Sequence, residues 1–269
     1  MKKLVLSLLF IGICSAMQAR VVTTEVYSAK MRRTIPCVVV LPDDYNRKAE
    51  YAVVYLLHGY GGDEHSWPDM RPDLSAVATR DSLIFVCPDG EKSWYWDSPV
   101  RPESQFETFV AEELVRYIDK KYATRACREG RAITGLSMGG HGALWLAIRH
   151  PETFGAAGST SGGVDIRPFP ENWDMKSQLG TYAENPERWD AHTVINRLDG
   201  LKEKNIALII DCGYSDFFAE VNNNLHTELL QRGIPHDYYT RPGAHNGAYW
   251  RNSLDYQLLF FNKYFQSAR

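Results

Sequence analysis

Short apolar runs rich in β-branched residues recur along the chain, with helically spaced stretches between most of them. This alternation predicts a mostly parallel central sheet flanked by helices on both faces. The first two runs, Val21 to Ser28 and Thr34 to Leu41, have no strong helical stretch between them and read as a hairpin. Later runs are Ala52 to Leu57, Leu83 to Cys87, Ala132 to Gly135, Ala156 to Thr160, Ile206 to Asp211 and His236 to Thr240.

Phe106, Val110, Leu114 and Ile118 keep helical spacing, and Ser104 with Glu107 has the form of a capping box at that helix's start. Leu225, Leu229 and Leu230 mark another helix, stopped by Gly233. A last helix is expected from about Asn246 or Trp250 to Tyr264, because Leu254, Leu258, Phe261 and Tyr264 fall on one face. The stretch from Ser161 to Lys204, rich in Pro, Asn, Trp and charge, interrupts the rhythm and reads as a small cap-like insertion at the sheet's edge. With no internal repeat or linker in view, residues 20–269 read as one domain carrying that insertion.

Composition narrows the class. A chain of 269 residues, 44% hydrophobic and 23% charged, is long enough for one large globular core. Lys2 and Lys3, the apolar run Leu4 to Cys14 and the small residues Ser15, Ala16 and Ala19 read as a signal peptide over residues 1–19. The mature protein is therefore expected to be periplasmic or secreted, with no integral membrane segment. The formal charge of −3, which becomes −5 without Lys2 and Lys3, gives no reason to expect nucleic acid as a partner. Cys37, Cys87, Cys127 and Cys212 show no metal-ligand spacing; no metal or cofactor is expected, and their redox state stays open.

The chemistry-bearing residues cluster at run ends. Gly135-Leu136-Ser137-Met138-Gly139 follows one apolar run and leads directly into a helical stretch, which is the G-x-S-x-G nucleophile elbow in its strand-turn-helix setting. Ser137 is the expected nucleophile; a glycine-rich turn needed only for packing is the structural alternative. His58-Gly59-Tyr60-Gly61-Gly62 follows another buried run and has the form of an oxyanion loop. The expected oxyanion donors are the N–H groups of Tyr60 and Met138, with Gly61 competing for the first place. His58 is expected to brace its own loop by hydrogen bonding.

In a G-x-S-x-G hydrolase the acid and the base follow the serine in chain order. His245, in the loop Pro242-Gly243-Ala244 after the last run, is the expected base. Asp216, in the loop after the Ile206 to Asp211 run, is the expected acid; Asp211 is its rival and is given a structural role pinning the turn.

These motifs, together with Trp94-Tyr95-Trp96-Asp97-Ser98-Pro99, Gly213-Tyr214-Ser215-Asp216-Phe217 and Gly243-Ala244-His245-Asn246, resemble the putative-esterase family of α/β-hydrolases. That family includes feruloyl and acetyl xylan esterases, tributyrin-type esterases, S-formylglutathione hydrolases and mycolyltransferases. The resemblance covers nearly all of the mature chain and implies an acid at Asp216. It implies a serine carboxylic-ester hydrolase acting through an acyl-enzyme on a small-molecule or carbohydrate ester, with a short-chain acyl, feruloyl or acetyl group. An acyltransferase and a non-catalytic carbohydrate-binding relative are the competing readings. Trp94, Tyr95, Trp96 and Trp250 are candidate substrate contacts beside Gly61, or else packing for the insertion. Phe169, Trp173 and Trp189 pose the same choice, and Arg167 reads as a surface ion pair.

Overall fold

The computed structural model describes residues 20–268. The expected signal peptide, residues 1–19, lies outside the described residues. Eight strands form one sheet: β1 (Arg20–Ser28), β2 (Arg33–Leu41), β3 (Ala52–Leu57), β4 (Leu83–Pro88), β5 (Arg131–Gly135), β6 (Ala156–Thr160), β7 (Ala207–Gly213) and β8 (Asp237–Arg241). Their spatial order is β1-β2-β4-β3-β5-β6-β7-β8. The β1–β2 pair is the expected antiparallel hairpin, with Val21 opposite Val40 and Tyr27 opposite Thr34. β2 runs antiparallel to β4, and every later pairing is parallel.

Helices fill the connections: α1 (Ser66–Met70), α2 (Leu74–Asp81), α3 (Phe106–Thr108), α4 (Val115–Lys121), α5 (Met138–Arg149), α6 (Met175–Leu179), α7 (Pro186–Ala191), α8 (Leu201–Lys204), α9 (Ala219–Gln231) and α10 (Gly247–Ser267). A π-helical stretch, Phe109–Leu114, joins α3 to α4. None of the helices among the described residues is long and apolar enough to cross a membrane.

Strand alternation divides the core between the two faces of the sheet. Val54, Leu56, Phe85, Ala132 and Ile209 pack with Trp67 of α1, Val77 of α2 and Leu254, Leu258 and Phe261 of α10. Val53, Tyr55, Leu57, Ile133 and Ile210 pack on the other side with α5, α9 and the α3–α4 helix. The segment between β6 and β7 joins this second layer through Val164, Ile166, Met175, Leu179, Trp189 and Val194, all buried. On α9, Leu225 and Leu229 are buried as expected, but Leu230 is exposed at 60%, because it sits a third of a turn away from the core-facing line.

The capping box expected at α3 does not form. Gln105 occupies the N-cap without a side-chain bond, and Ser104 Oγ is buried without a partner among the described residues. Asp97 takes over that work from upstream: Thr108 N–H donates to its Oδ1 at 2.9 Å and Thr108 Oγ1 to its Oδ2 at 2.5 Å. Glu107 turns inward instead, and its carboxylate accepts from Trp145 Nε1 (2.8 Å), Arg149 Nε (2.6 Å) and His150 Nε2 (3.0 Å). Burial pushes the Glu107 carboxyl up, but the bonds from His150, Arg149 and Trp145 outweigh it and the group titrates below its ordinary range. Burial pulls His150 down, and Glu107 and Glu152 more than reverse that.

The lowered carboxyl adds stability above an unfolded pKa of about 4.3 and loses it as pH falls through its folded value. The raised imidazole adds stability below about 6.5 and loses it as pH rises through its folded value. Glu107→Gln should therefore destabilise the protein by about 1–3 kcal/mol. Thermal melts should show the widest gap from wild type near pH 5.5, narrowing towards both pH 3 and pH 8.

Candidate active site

The chain leaves β3 for β4 on one flank and returns to β5 on the other, so the crevice above β3 and β5 is a topological switch point. The loops at the carboxyl ends of β3, β4, β5, β7 and β8 carry the residues singled out from the sequence.

Ser137 stands between β5 and α5 with φ +56° and ψ −117°, a backbone conformation that costs an L-residue about 1–3 kcal/mol. Three bonds hold it there: its N–H donates to Thr160 O (3.0 Å), and its carbonyl accepts from His141 N (3.1 Å) and Gly163 N (3.3 Å). The flanking glycines are steric necessities. A Cβ on Gly135 would stand 2.5 Å from Gly139 O, and one on Gly139 would stand 2.3 Å from Leu57 O.

His245 Nε2 lies 2.9 Å from Ser137 Oγ, and its Nδ1 lies 3.0 and 2.9 Å from the two oxygens of Asp216. A carboxylate facing Nδ1 fixes the proton there and leaves Nε2 as the acceptor for the serine hydroxyl. Asp216 is buried, and its Oδ1 also accepts from Phe218 N at 2.8 Å. The two loops that bring this pair together run side by side, with Tyr214 N donating to Arg241 O and Ser215 N to Gly243 O. Such contact needs glycine at both positions: a Cβ on Gly213 would meet Gly243 O at 2.4 Å, and Gly243 has φ +153°.

Asp211, the rival acid, is turned towards α10. It accepts from Ser253 Oγ (2.6 Å), Gln257 Nε2 (2.9 Å), Thr160 Oγ1 (3.1 Å) and Arg241 Nη2 (3.2 Å). Burial pushes its carboxyl up against the pull of those partners. It ties β6, β7, β8 and α10 together and makes no bond to His245.

The loop after β3 lies against the serine: a Cβ on Gly59 would be 3.3 Å from Ser137 Cβ. Gly62 N donates to Gly59 O at 3.0 Å, and Gly61 has φ +82°, so residues 59–62 form a tight turn. In such a turn the N–H groups of Tyr60 and Gly61 are not used by the turn itself. Met138 is the first residue of α5, and its N–H is one of those a helix start leaves without an intrahelical acceptor. His58 braces the loop as expected: Gly90 N donates to its Nε2 (2.7 Å), so Nδ1 carries the proton and donates to Gly59 O (2.7 Å).

The aromatic candidates separate. Trp94, Tyr95 and Trp96 are only 1%, 0% and 0% exposed, so these three face the interior and offer no surface to a ligand. Each is drawn inward by packing and two also by polar partners: Tyr95 O–H donates to His58 O (3.2 Å) and Trp96 Nε1 to His141 Nε2 (2.8 Å). His141, neutral because burial pulls its pKa down to about 3, passes the link on from Nδ1 to Gly163 O at 3.0 Å. Trp250 remains beside the site, its ring 4.9 Å from that of His245.

Sequence reasoning gave no role to Phe217 or Phe218. Phe217 is 51% exposed, its ring 4.2 Å from His245, and Trp173 stacks on it at 5.7 Å. Phe218 packs edge-on to His245 at 5.5 Å and to Phe169 at 5.1 Å. Two adjacent aromatics directly after the expected acid were the available signal. Trp189 is buried, and Arg167 pairs with Asp165 and Asp190 as a surface ion pair. Among the described residues no group of three or more His, Cys, Asp or Glu could hold a metal ion, and Cys37, Cys87, Cys127 and Cys212 are free thiols.

A mostly parallel sheet between two helical layers, with a serine on a strained strand-to-helix turn, defines an α/β-hydrolase. Residues 28–261 match the family described as "Putative esterase", and the chain belongs to that family. It is 30% identical over 235 residues to Esterase Rv1288 of Mycobacterium tuberculosis (strain ATCC 25618 / H37Rv), covering 77% of this chain and 51% of that protein. The chain thus spans about half the length of that relative. It is 24% identical over 254 residues to an acetyl esterase of Caldicellulosiruptor saccharolyticus, covering 85% of this chain and 92% of that one. A solved ferulic acid esterase superposes with a TM-score of 0.81 at 27% identity, over 92% of this chain and 99% of that one.

Gly139→Ala tests the tight elbow. The added methyl has only backbone to push against, so the variant should lose about 2 kcal/mol or more of stability. A melting temperature within a degree of wild type would contradict that packing.

Proposed function

We propose that the protein is a serine carboxylic-ester hydrolase working through Ser137, His245 and Asp216 on short-chain acyl, acetyl or feruloyl esters of carbohydrates. The hydrogen-bonded run from Ser137 Oγ through His245 to Asp216 carries this reading. His245 Nε2 takes the hydroxyl proton as Ser137 Oγ attacks the ester carbonyl, and the carbonyl π pair moves onto oxygen. The oxyanion rests on the N–H groups of Tyr60 and Met138. Its collapse breaks the bond to the alcohol oxygen, which leaves with the proton from His245, and the acyl group stays on Ser137. Water, deprotonated by the same imidazole, then releases the acid and restores the serine. Asp216 keeps its negative charge throughout and stabilises the imidazolium formed in each half-reaction.

The apolar wall of Phe217, Trp173 and Trp250 beside His245 suits an acyl chain or an aromatic ring. The acetyl esterase and the ferulic acid esterase among the relatives support these two acyl classes.

Ser137→Ala should lower turnover of an acetyl or feruloyl ester by a factor on the order of 10⁴ to 10⁶ while leaving the melting temperature nearly unchanged. Turnover close to wild type would refute the reading. The two carboxylates should part in the same assays. Asp216→Asn should cost about 10⁴ in kcat with little change in stability. Asp211→Asn should keep most activity but lose about 2–4 kcal/mol of stability, since four donors converge on that carboxylate. The opposite pattern would exchange their roles.

A further inference from the structure

A cavity of about 320 Å³ lies beside the loop after β3, with Gly61 and Gly62 in its wall. Asp89, Glu91 and Lys92, which follow β4, and Gln178 of α6 supply much of the rest. The strand order puts β4 and β3 on one side of β5, and β7 and β8 on the other. The cavity therefore lies on the β3–β4 side of β5, beyond the loop after β3, and the Phe217 wall lies on the other side.

Its chemistry is also opposite. Gln178 is 2% exposed, with its main-chain oxygen held by Ser98 Oγ at 2.7 Å. Yet its side-chain amide has no hydrogen-bond partner among the described residues, and Oε1 is sealed from solvent. An unpaired Oε1 is costly, and Nε2, which has no partner among the described residues and is not sealed, is the end of the amide that an acceptor on a ligand can reach. Lys92 is exposed and forms no ion pair among the described residues; its ammonium stands 5.2 Å over the Tyr60 ring. Arg101, also in the wall, gives its Nε to Glu103 at 2.8 Å, which leaves its terminal nitrogens for other acceptors.

Glu91 pairs with Arg33 and Arg101 with Glu103, and Asp89 offsets Lys92, so the cavity favours neither anions nor cations. Donors, acceptors and one aromatic ring set close together are the requirements of a neutral polyhydroxylated ligand, whose hydroxyls both give and accept.

We infer that this cavity is the alcohol subsite: it receives the sugar portion of the ester, with Gln178 and Lys92 as specificity-determining residues, while the aromatic wall takes the acyl group. The inference rests on Ser137 as the nucleophile. The leaving oxygen lies over Ser137 within reach of His245 Nε2, and the sugar ring extends from it across the Tyr60-Gly61 turn.

The test uses two esters with the same acyl group, O-acetylated xylobiose and ethyl acetate, and reads the ratio of their kcat/KM values. Wild type should favour the sugar ester. Gln178→Leu and Lys92→Met should each lower the ratio about ten-fold, chiefly by raising KM for the sugar ester; Lys92→Met, at the surface, guards against misfolding as the cause. A ratio unchanged in both variants would mean a cavity holding water only and would overturn the inference. So would an equal loss on the two esters, or a wild type without preference. A wild type inert towards both esters, with Ser137 unlabelled by a fluorophosphonate, would instead overturn the reading of the nucleophile and the subsite with it.

Discussion

Gly139 rests on the carbonyls of Leu57 and His58 so closely that an added Cβ would stand 2.3 and 2.6 Å from their oxygens. This backbone-on-backbone contact sets the start of α5 directly over the gap between β3 and β5. Everything at the site is measured from it. The helix start supplies the free Met138 N–H, the turn before it thrusts Ser137 up in a strained conformation, and the loop after β3 is brought alongside. Strain of about 1–3 kcal/mol at one residue is tolerable because Thr160, His141 and Gly163 all bond to the Ser137 backbone.

Two aspartates near the end of β7 show how the same side chain is given different work. Asp211 lies within the strand and points at α10, where hydroxyl, amide and guanidinium groups surround it. Asp216, five residues on, lies where the chain has already turned back along the loop after β8, and its two oxygens meet one imidazole nitrogen. Position along the loop, not burial, separates them, since both are buried.

Much of this was legible in the sequence. β3 and β6 fall at the expected residues, and the other strands begin and end within two residues of expectation; for β3 to β6 the reason is that buried parallel strands are short unbroken apolar runs. That Ser137, Asp216 and His245 come together was legible because each sits in a loop after a strand run, although the run before His245 is the exposed edge strand β8. What escaped were interactions set by long-range packing. Ser104 and Glu107 have capping-box spacing, but Trp145, Arg149 and His150 are better partners for Glu107, and no local pattern announces them. For Trp94 to Trp96 the sequence left substrate contact and packing open, because the partners that decide it, His141 and His58, lie on distant parts of the chain. Nor could spacing show that Gln178, in the short helix α6, would be buried with its Oε1 unpartnered among the described residues.

The hydrogen-bonded line from Ser137 through His245 to Asp216 hangs from the ends of β5, β8 and β7, whereas the polar cavity is lined by the segments after β3, β4 and β6. The two sets touch where Gly163 N donates to Ser137 O and its carbonyl meets His141, and where Trp173 stacks on Phe217. Substitutions in the cavity wall can therefore change its polarity while the hydrogen-bonded line from Ser137 to Asp216 keeps its lengths. What the crevice admits and what stands at its centre are thus separable properties of the chain.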